Sequence, residues 1–140
     1  SVMKKGIIFF TSVLILFIIS CKKENTPGRI DNSGPAGTVL AKGNFVSNAH
    51  PSSGTVKVVE DNTGKISLAF ENFSTDNGPD LRIWLSPNNN GSPRQEVGIL
   101  KAVTGNFSYE LGASFNYTTN NRVLIWCEDF SVLFGHAILQ

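Results

Sequence analysis

Short runs of alternating apolar and polar residues, separated by turns rich in Gly, Asn, Pro and Asp, occupy the chain from Thr38 to Gln140. The clearest unit extends from Thr55 to Phe70, where two alternating runs flank an Asn- and Gly-containing turn at 61–64. Two such runs joined by a short loop predict a β-hairpin. Gly, Asn or β-branched residues interrupt every window long enough for a helix. The pattern therefore predicts an all-β fold, either a single antiparallel β-sandwich or a partly closed barrel.

The beginning of the chain has a different pattern. Two lysines precede an unbroken run of apolar and small residues from 6 to 19, which is typical of a secretory signal and short for a membrane span. The run ends in Ile18-Ile19-Ser20-Cys21, which resembles the bacterial lipobox, where a lipid-modified cysteine becomes the first residue of the mature protein. We therefore expect a lipoprotein signal peptide at 1–20 and acyl chains such as palmitate on Cys21. The alternatives are an ordinary signal with a chance cysteine, or a retained membrane anchor.

Residues 21–36 are polar, rich in Pro, Gly and Asn, and have no periodicity, which predicts a flexible tether. The folded domain is then expected at 37–140. The domain would face the periplasm or the exterior of a bacterial cell envelope, and the lipid on Cys21 would attach it to a membrane.

The charge of this expected mature chain is nearly balanced. Removing Lys4 and Lys5 from the 12 basic side chains leaves ten against 11 acidic ones. Because no basic patch remains, a nucleic-acid partner is not expected.

Cys127 is the remaining cysteine once Cys21 is assigned to lipid. Alternation along its strand places it on one face with Val123 and Ile125, as is typical of a small buried hydrophobe. Glu128 begins a loop directly after it, which favours the other interpretation, a thiol that can be reached from outside. An unpaired thiol is unusual in an oxidising compartment. Cys127 is therefore a candidate redox residue, although the adjacent carboxylates disfavour a catalytic nucleophile.

The possible cofactors are limited by the histidines, His50 and His136. Blue copper needs a thiolate, two imidazoles and usually a methionine, but Met3 belongs to the signal and the spacing from Cys127 to His136 does not resemble the copper loop. Covalent haem and structural zinc lack their motifs. A non-covalent haem remains possible, with Cys127 or a histidine as axial ligand, and copper is less favoured. The cofactor is otherwise unknown, and no metal site is predicted.

Three separated stretches resemble the DM-thirteen domain, an extracellular module also called electron-transfer DM. They are Phe45 with His50 and Gly54, the turn Asn77–Leu81, and Ile125–Cys127 followed by Phe130, Phe134, Ala137 and Leu139. The similarity covers roughly 37–139, although the segment at 100–121 departs from the family pattern.

The resemblance implies a β-sandwich-like domain, found on bacterial lipoproteins or beside DOMON domains in animal surface proteins. It also implies a redox role for the cysteine that matches Cys127, either as a bare thiol or as a ligand to a group such as haem. His50 matches the family's histidine and is the candidate neighbour.

These features together predict an envelope lipoprotein with an electron-transfer domain centred on Cys127 and an unknown redox partner. The alternative is a non-catalytic extracytoplasmic binding or adhesion module with a surface ligand, in which Cys127 only fills the core. Whether the chain is an enzyme stays open, because no acid/base pair stands out.

Overall fold

The computed structural model of this chain describes residues 34–140. The expected signal peptide, the lipid site at Cys21 and most of the expected tether at 21–36 lie outside the described residues and stay predictions. Within the described range, no helix is long and apolar enough to cross a bilayer.

The described residues form β-strands joined by turns and loops. In chain order they are β1 (Thr38–Asn44), β2 (Val46–Ser47), β3 (Ser52–Glu60), β4 (Ile66–Thr75), β5 (Leu81–Ser86), β6 (Gln95–Ile99), β7 (Thr104–Leu111), β8 (Arg122–Cys127) and β9 (Val132–Ile138). No helix occurs between residues 34 and 140, as the sequence pattern predicted.

The strands form two antiparallel sheets. The four-stranded sheet has the order β1-β3-β4-β7, and the five-stranded sheet has the order β2-β9-β8-β5-β6. Apolar residues of both sheets share one core, which confirms the predicted β-sandwich. The sheets stay separate, and the described strands form no closed barrel.

The core is built from alternate residues along the strands, namely those that face inward. On the four-stranded sheet Val56 and Val58 face inward, and Ile83 and Ile125 do the same on the other sheet, all without solvent exposure. Aromatic rings fill the space between the sheets, and neighbouring centroids lie 4.8–6.0 Å apart. These rings belong to Phe45, Phe70, Phe73, Phe107 and Tyr109.

The predicted hairpin at 55–70 is confirmed as β3 and β4. Its turn is closed by Asp61, whose Oδ1 accepts hydrogen bonds from the backbone N–H groups of Thr63 at 2.8 Å and Lys65 at 3.0 Å. The Thr63 hydroxyl also donates to this oxygen and makes the largest contribution to lowering the pKa of Asp61. Gly64 has a φ of 83°, a conformation that a glycine adopts without strain.

The chain passes from one sheet to the other at Phe45. This residue is buried between β1, an edge of the four-stranded sheet, and β2, an edge of the five-stranded sheet. Gly43 permits the approach of β1 to β9, because a Cβ atom there would lie 2.3 Å from the carbonyl oxygen of Ile138. Lys42 and Gln140 exchange two backbone hydrogen bonds of 3.0 Å. We call this feature the crossing at Phe45.

A loop at 87–94 covers part of the outer face of the five-stranded sheet. Beneath it lie Trp84, 2% exposed, and Leu124, which is fully buried. A Cβ atom on Gly91 would lie 2.8 Å from the Trp84 ring, so only glycine lets the loop pack this closely. Trp84 also stacks on Trp126 at 4.8 Å, and the Arg94 guanidinium lies 3.9 Å from its ring centroid. The sandwich therefore has a small second apolar layer outside the main core.

Candidate functional site

Cys127 is the last residue of β8, and its side chain is fully buried. It pairs with Leu81 on β5 and with Val132 on β9, and it belongs to the main core cluster. The predicted alternation is confirmed, because Val123 and Ile125 share this inward face.

The expectation that the thiol can be reached from outside is not met in this structure. Cys127 has a relative exposure of 0% although it ends its strand. The following residue, Glu128, donates its backbone N–H to the carbonyl oxygen of Asp80 at 2.9 Å, which holds the loop against the neighbouring strand. No hydrogen bond to Sγ occurs between residues 34 and 140. The position of Cys127 next to a loop in the sequence therefore does not make its side chain exposed. The redox role of Cys127 stays a prediction.

His50 lies at the surface beside Phe134. Its imidazole stacks on the phenyl ring with centroids 3.8 Å apart, and its backbone N–H donates to the Phe134 carbonyl at 3.2 Å. The Nδ1 atom lies 2.9 Å from Asp76 Oδ2, so the protonated nitrogen donates to the carboxylate. Nε2 then remains for another partner, as in many histidines that bind metals or haem. No hydrogen bond joins His50 to Cys127 in the described part of the chain.

The turn at 77–81 packs over the same end of the core. A Cβ atom on Gly78 would lie 2.9 Å from Leu81 Cδ2 and 3.1 Å from Phe134 Cζ, so glycine permits this close cover. Asp80 binds the Arg82 guanidinium through Nε at 2.6 Å and Nη2 at 3.2 Å. This pairing raises the pKa of Arg82, with a further contribution from Glu96. The Asp80 carboxylate therefore has a structural partner.

These contacts bring together three stretches that are far apart in the sequence. His50, the turn at 77–81, and the hairpin that carries Cys127 and Phe134 meet at one end of the sandwich. We call this region the motif end. Phe134 is its centre, because it contacts the imidazole on one side and belongs to the core cluster of Cys127.

His136 is directed away from the motif end. It pairs with Val46 and Leu124, so it projects from the outer face of the five-stranded sheet, whereas Cys127 faces the core. Its Nδ1 donates to Asn48 Oδ1 at 2.7 Å. Burial, with a smaller contribution from Arg122, lowers the pKa of His136.

The residues present do not assemble a copper or haem site around the thiol. Cys127 and His136 project from opposite faces of one sheet, and residues 34–140 contain no cluster of three or more His, Cys, Asp or Glu suited to a metal. A haem bound through Cys127 would need open space beside the sulfur, and the fully buried side chain offers none. The His50 Nε2 atom is the better placed candidate ligand, since the ring is 38% exposed.

A family model described as Electron transfer DM13 matches residues 44–139. The chain belongs to this family. The match spans all three stretches on which the resemblance was based and confirms it. Membership of the DM13 family indicates an electron-transfer role for the domain. No curated protein and no solved structure matches the chain.

A polar groove beside the crossing at Phe45 of this DM13 domain was not predicted from the sequence. Its lining includes Lys42, Lys57 and His136, which come from three strands and form no motif. The only available signal was the position of each residue on the outward face of its strand. That signal could not be used before the pairing of β1 with β3, and of β2 with β9, was known.

Proposed function

We propose that this DM13 domain is an electron-transfer module of a bacterial envelope lipoprotein and that Cys127 is its redox-active side chain. The observation that supports this proposal is the convergence of the three family stretches at the motif end. Cys127 is the only cysteine between residues 34 and 140, so thiol chemistry in the domain must use it.

Thiol–disulfide exchange is the chemistry that this residue can perform without a bound cofactor. The Cys127 thiol loses its proton to water, and the thiolate attacks one sulfur of a partner disulfide. A new S–S bond forms, the old one breaks, and the partner's second sulfur leaves as a thiolate. The partner is thereby reduced and Cys127 is oxidised.

This exchange requires local opening, because Cys127 is fully buried. The residue opposite it, Leu81, is covered by the turn at Gly78, which also contacts Phe134. Movement of this turn would therefore uncover Leu81, which lies opposite Cys127. Short turns and loops are the parts of a fold that open at the lowest free-energy cost.

His50 is the candidate neighbour in this proposal. Nδ1 donates to the Asp76 carboxylate while the ring stacks on Phe134, so Nε2 is the ring nitrogen left for a ligand. A haem that binds to the motif end would therefore be held by His50, whose ring orientation is fixed by the carboxylate.

The test measures the reactivity of Cys127 toward an aromatic disulfide reagent. We expect the folded full-length chain to react slowly and the urea-unfolded chain to react quickly, with Cys127→Ala as the background control. Haem should be added in a parallel titration, with His50→Ala as control. A thiol that stays unreactive in the folded chain, together with no haem absorption band, would contradict the proposal.

We further propose that the protein is anchored to the envelope membrane through lipid on Cys21. The support is the sequence Ile18–Cys21 after an apolar run. Labelled palmitate should enter the protein in a bacterial host and should be lost in the Cys21→Ala variant. Cys127→Ala is the matched control and should keep the label. Equal labelling of the wild-type chain and Cys21→Ala would contradict this anchor.

A binding or adhesion module is the second candidate function. It is favoured by the full burial of Cys127 and by the lack of a hydrogen bond to its sulfur from residues 34–140. The Cys127→Ser variant separates the two functions. A binding module would lose stability without losing any electron-transfer chemistry, whereas the redox module would lose that chemistry.

A further inference from the structure

The crossing at Phe45 creates a groove of about 590 Å³ on the outside of the sandwich. Lys42 and Asn44 on β1 line one part of it, and Val46 and His136 line another. We call it the β1–β9 groove. Its volume lies within the range of ~300–1,000 Å³ that is usual for small-molecule sites. Neither His50 nor Cys127 lines it, so this site does not depend on the electron-transfer proposal.

The charged side chains of the groove include one cation that has no ion pair with a described residue. Lys57 and Lys42 both line it, and Glu71 is the acidic residue among its lining side chains. The Lys57 ammonium lies 2.6 Å from Glu71 Oε2, so these two charges neutralise each other. Lys42 makes no ion pair with any residue in the described range. Its ammonium is therefore available to a carboxylate from outside.

The uncharged groups of the groove suit hydroxyl groups. His136 uses Nδ1 as a donor to Asn48, so its Nε2 is an acceptor for a ligand hydroxyl. The lowered pKa of His136 favours this neutral form. Thr55 donates its hydroxyl to Asn44 Oδ1 at 2.9 Å, which leaves the Asn44 amide N–H groups as further donors.

The groove also has an apolar wall. Val46 is 49% exposed, and Ile138 lies beside it in the lining. A sugar ring presents C–H groups on its faces and hydroxyl groups around its edge, so it can contact an apolar wall and polar side chains together. An inorganic anion uses only the charge.

We propose that the β1–β9 groove binds a small hydroxylated carboxylate, such as a sugar acid. Lys42 binds the carboxylate, and His136 and Asn44 bind hydroxyl groups. Val46 and Ile138 contact the ring face. The Lys57–Glu71 pair forms the polar floor and offers both a donor and an acceptor.

The experiment titrates the isotope-labelled full-length chain with sodium glucuronate and follows amide signals by NMR. Because the chain contains the apolar run at 6–19, it is kept in solution with a detergent that has no sugar headgroup, and the ionic strength is held constant. We expect saturable shifts confined to the residues that line the groove on β1, β2, β3, β4 and β9. Lys42→Ala should weaken binding by about fivefold or more, as expected for the loss of one exposed charged hydrogen bond. Lys42→Arg should keep the affinity within about twofold, since the guanidinium also binds carboxylates.

Three comparisons make the result decisive. Glucose should bind much more weakly than glucuronate, because it lacks the carboxylate. Phosphate should also bind more weakly, because it lacks the ring. Lys65→Ala removes a lysine that pairs with Glu110 outside the groove and should leave binding unchanged. Absence of saturable shifts, equal binding of phosphate, or equal loss in Lys65→Ala would each overturn the proposal.

Discussion

The motif end and the β1–β9 groove place chemically useful side chains in opposite environments. At the motif end, Cys127 is sealed in the core and His50 lies over Phe134 at the surface. In the groove, Lys42 and His136 face solvent without belonging to any motif. The residues that identify this family therefore largely build the core of one end. The polar side chains of the groove lie instead where the chain changes sheets.

The largest effect is expected from removing the centre of the motif end. Phe134→Ala should lower the free energy of unfolding by about 3–5 kcal/mol, because it creates a cavity in a well-packed region. The variant should also react faster at Cys127 with a disulfide reagent. Phe130→Ala is the control, since Phe130 is 68% exposed and should change stability by less than about 0.5 kcal/mol. If urea unfolding shows the same loss of unfolding free energy for Phe134→Ala and Phe130→Ala, the motif end is not packed as described.

A smaller loss is expected at the sulfur itself. Cys127→Ser places a hydroxyl where the described residues offer no hydrogen bond, which should cost about 1–3 kcal/mol in urea unfolding. Cys127→Ala should cost less than Cys127→Ser, because it buries no polar atom. If Ser proves as stable as the wild-type cysteine, the sulfur must lie beside water or a polar partner.

Tyr109 provides the contrasting case of a buried polar group whose hydrogen bonds are made. Its hydroxyl donates to the Ile99 carbonyl at 2.9 Å and accepts from the Lys101 N–H at 2.7 Å. Tyr109→Phe should cost about 1 kcal/mol.

The same tyrosine makes stability depend on alkaline pH. Burial raises the pKa of Tyr109 to about 12, so the unfolded chain loses this proton more readily. Stability should therefore fall as the pH rises from about 10, the unperturbed tyrosine pKa, toward the folded value. Tyr109→Phe should lack this part of the decline. If the wild-type chain and Tyr109→Phe lose stability equally between these pH values, Tyr109 is not the cause.

The smallest effect is expected in the groove. Because the folded pKa of His136 is lowered, the unfolded chain binds this proton more readily. Stability should decrease as the pH falls through about 6.5, the unperturbed histidine pKa, and level off below the folded pKa. Chemical denaturation at several pH values should show a shallower acid slope for His136→Gln. If stability falls with pH as steeply in that variant as in the wild-type chain, another group causes the decrease.

The sequence pattern was sufficient to predict the strands, the hairpin at 55–70 and the inward face shared by Ile125 and Cys127. These features depend on local alternation, which is visible along the chain. The burial of Cys127 was harder to predict, because its neighbours in the core, such as Leu81 opposite it on β5, come from distant parts of the sequence. The covered outer face at Trp84 was not predicted either. The loop at 87–94 that covers it has a polar sequence, which gives no sign that it packs on an apolar surface.

The groove could not be predicted, because it depends on register. Lys42 lies opposite Lys57 only through the pairing of β1 with β3, and Val46 lies opposite His136 only through that of β2 with β9. A shift of one residue in either ladder would direct these side chains to the other face. Alternation along a strand predicts which of its residues share a face, but it does not predict which strands lie beside it.

The crossing at Phe45 also determines how the domain would respond to a mechanical load. A pull on the chain from the side of residue 34 would reach β1 at Thr38, which is paired with Glu60 at the free edge of its sheet. Hydrogen bonds of an edge strand pulled from its end break one after another, which takes little force. Peeling would first be resisted by the two backbone hydrogen bonds between Lys42 and Gln140, and then by the buried ring of Phe45. A weak pull would therefore detach only the beginning of β1, before Lys42, while the rest of the domain stays folded.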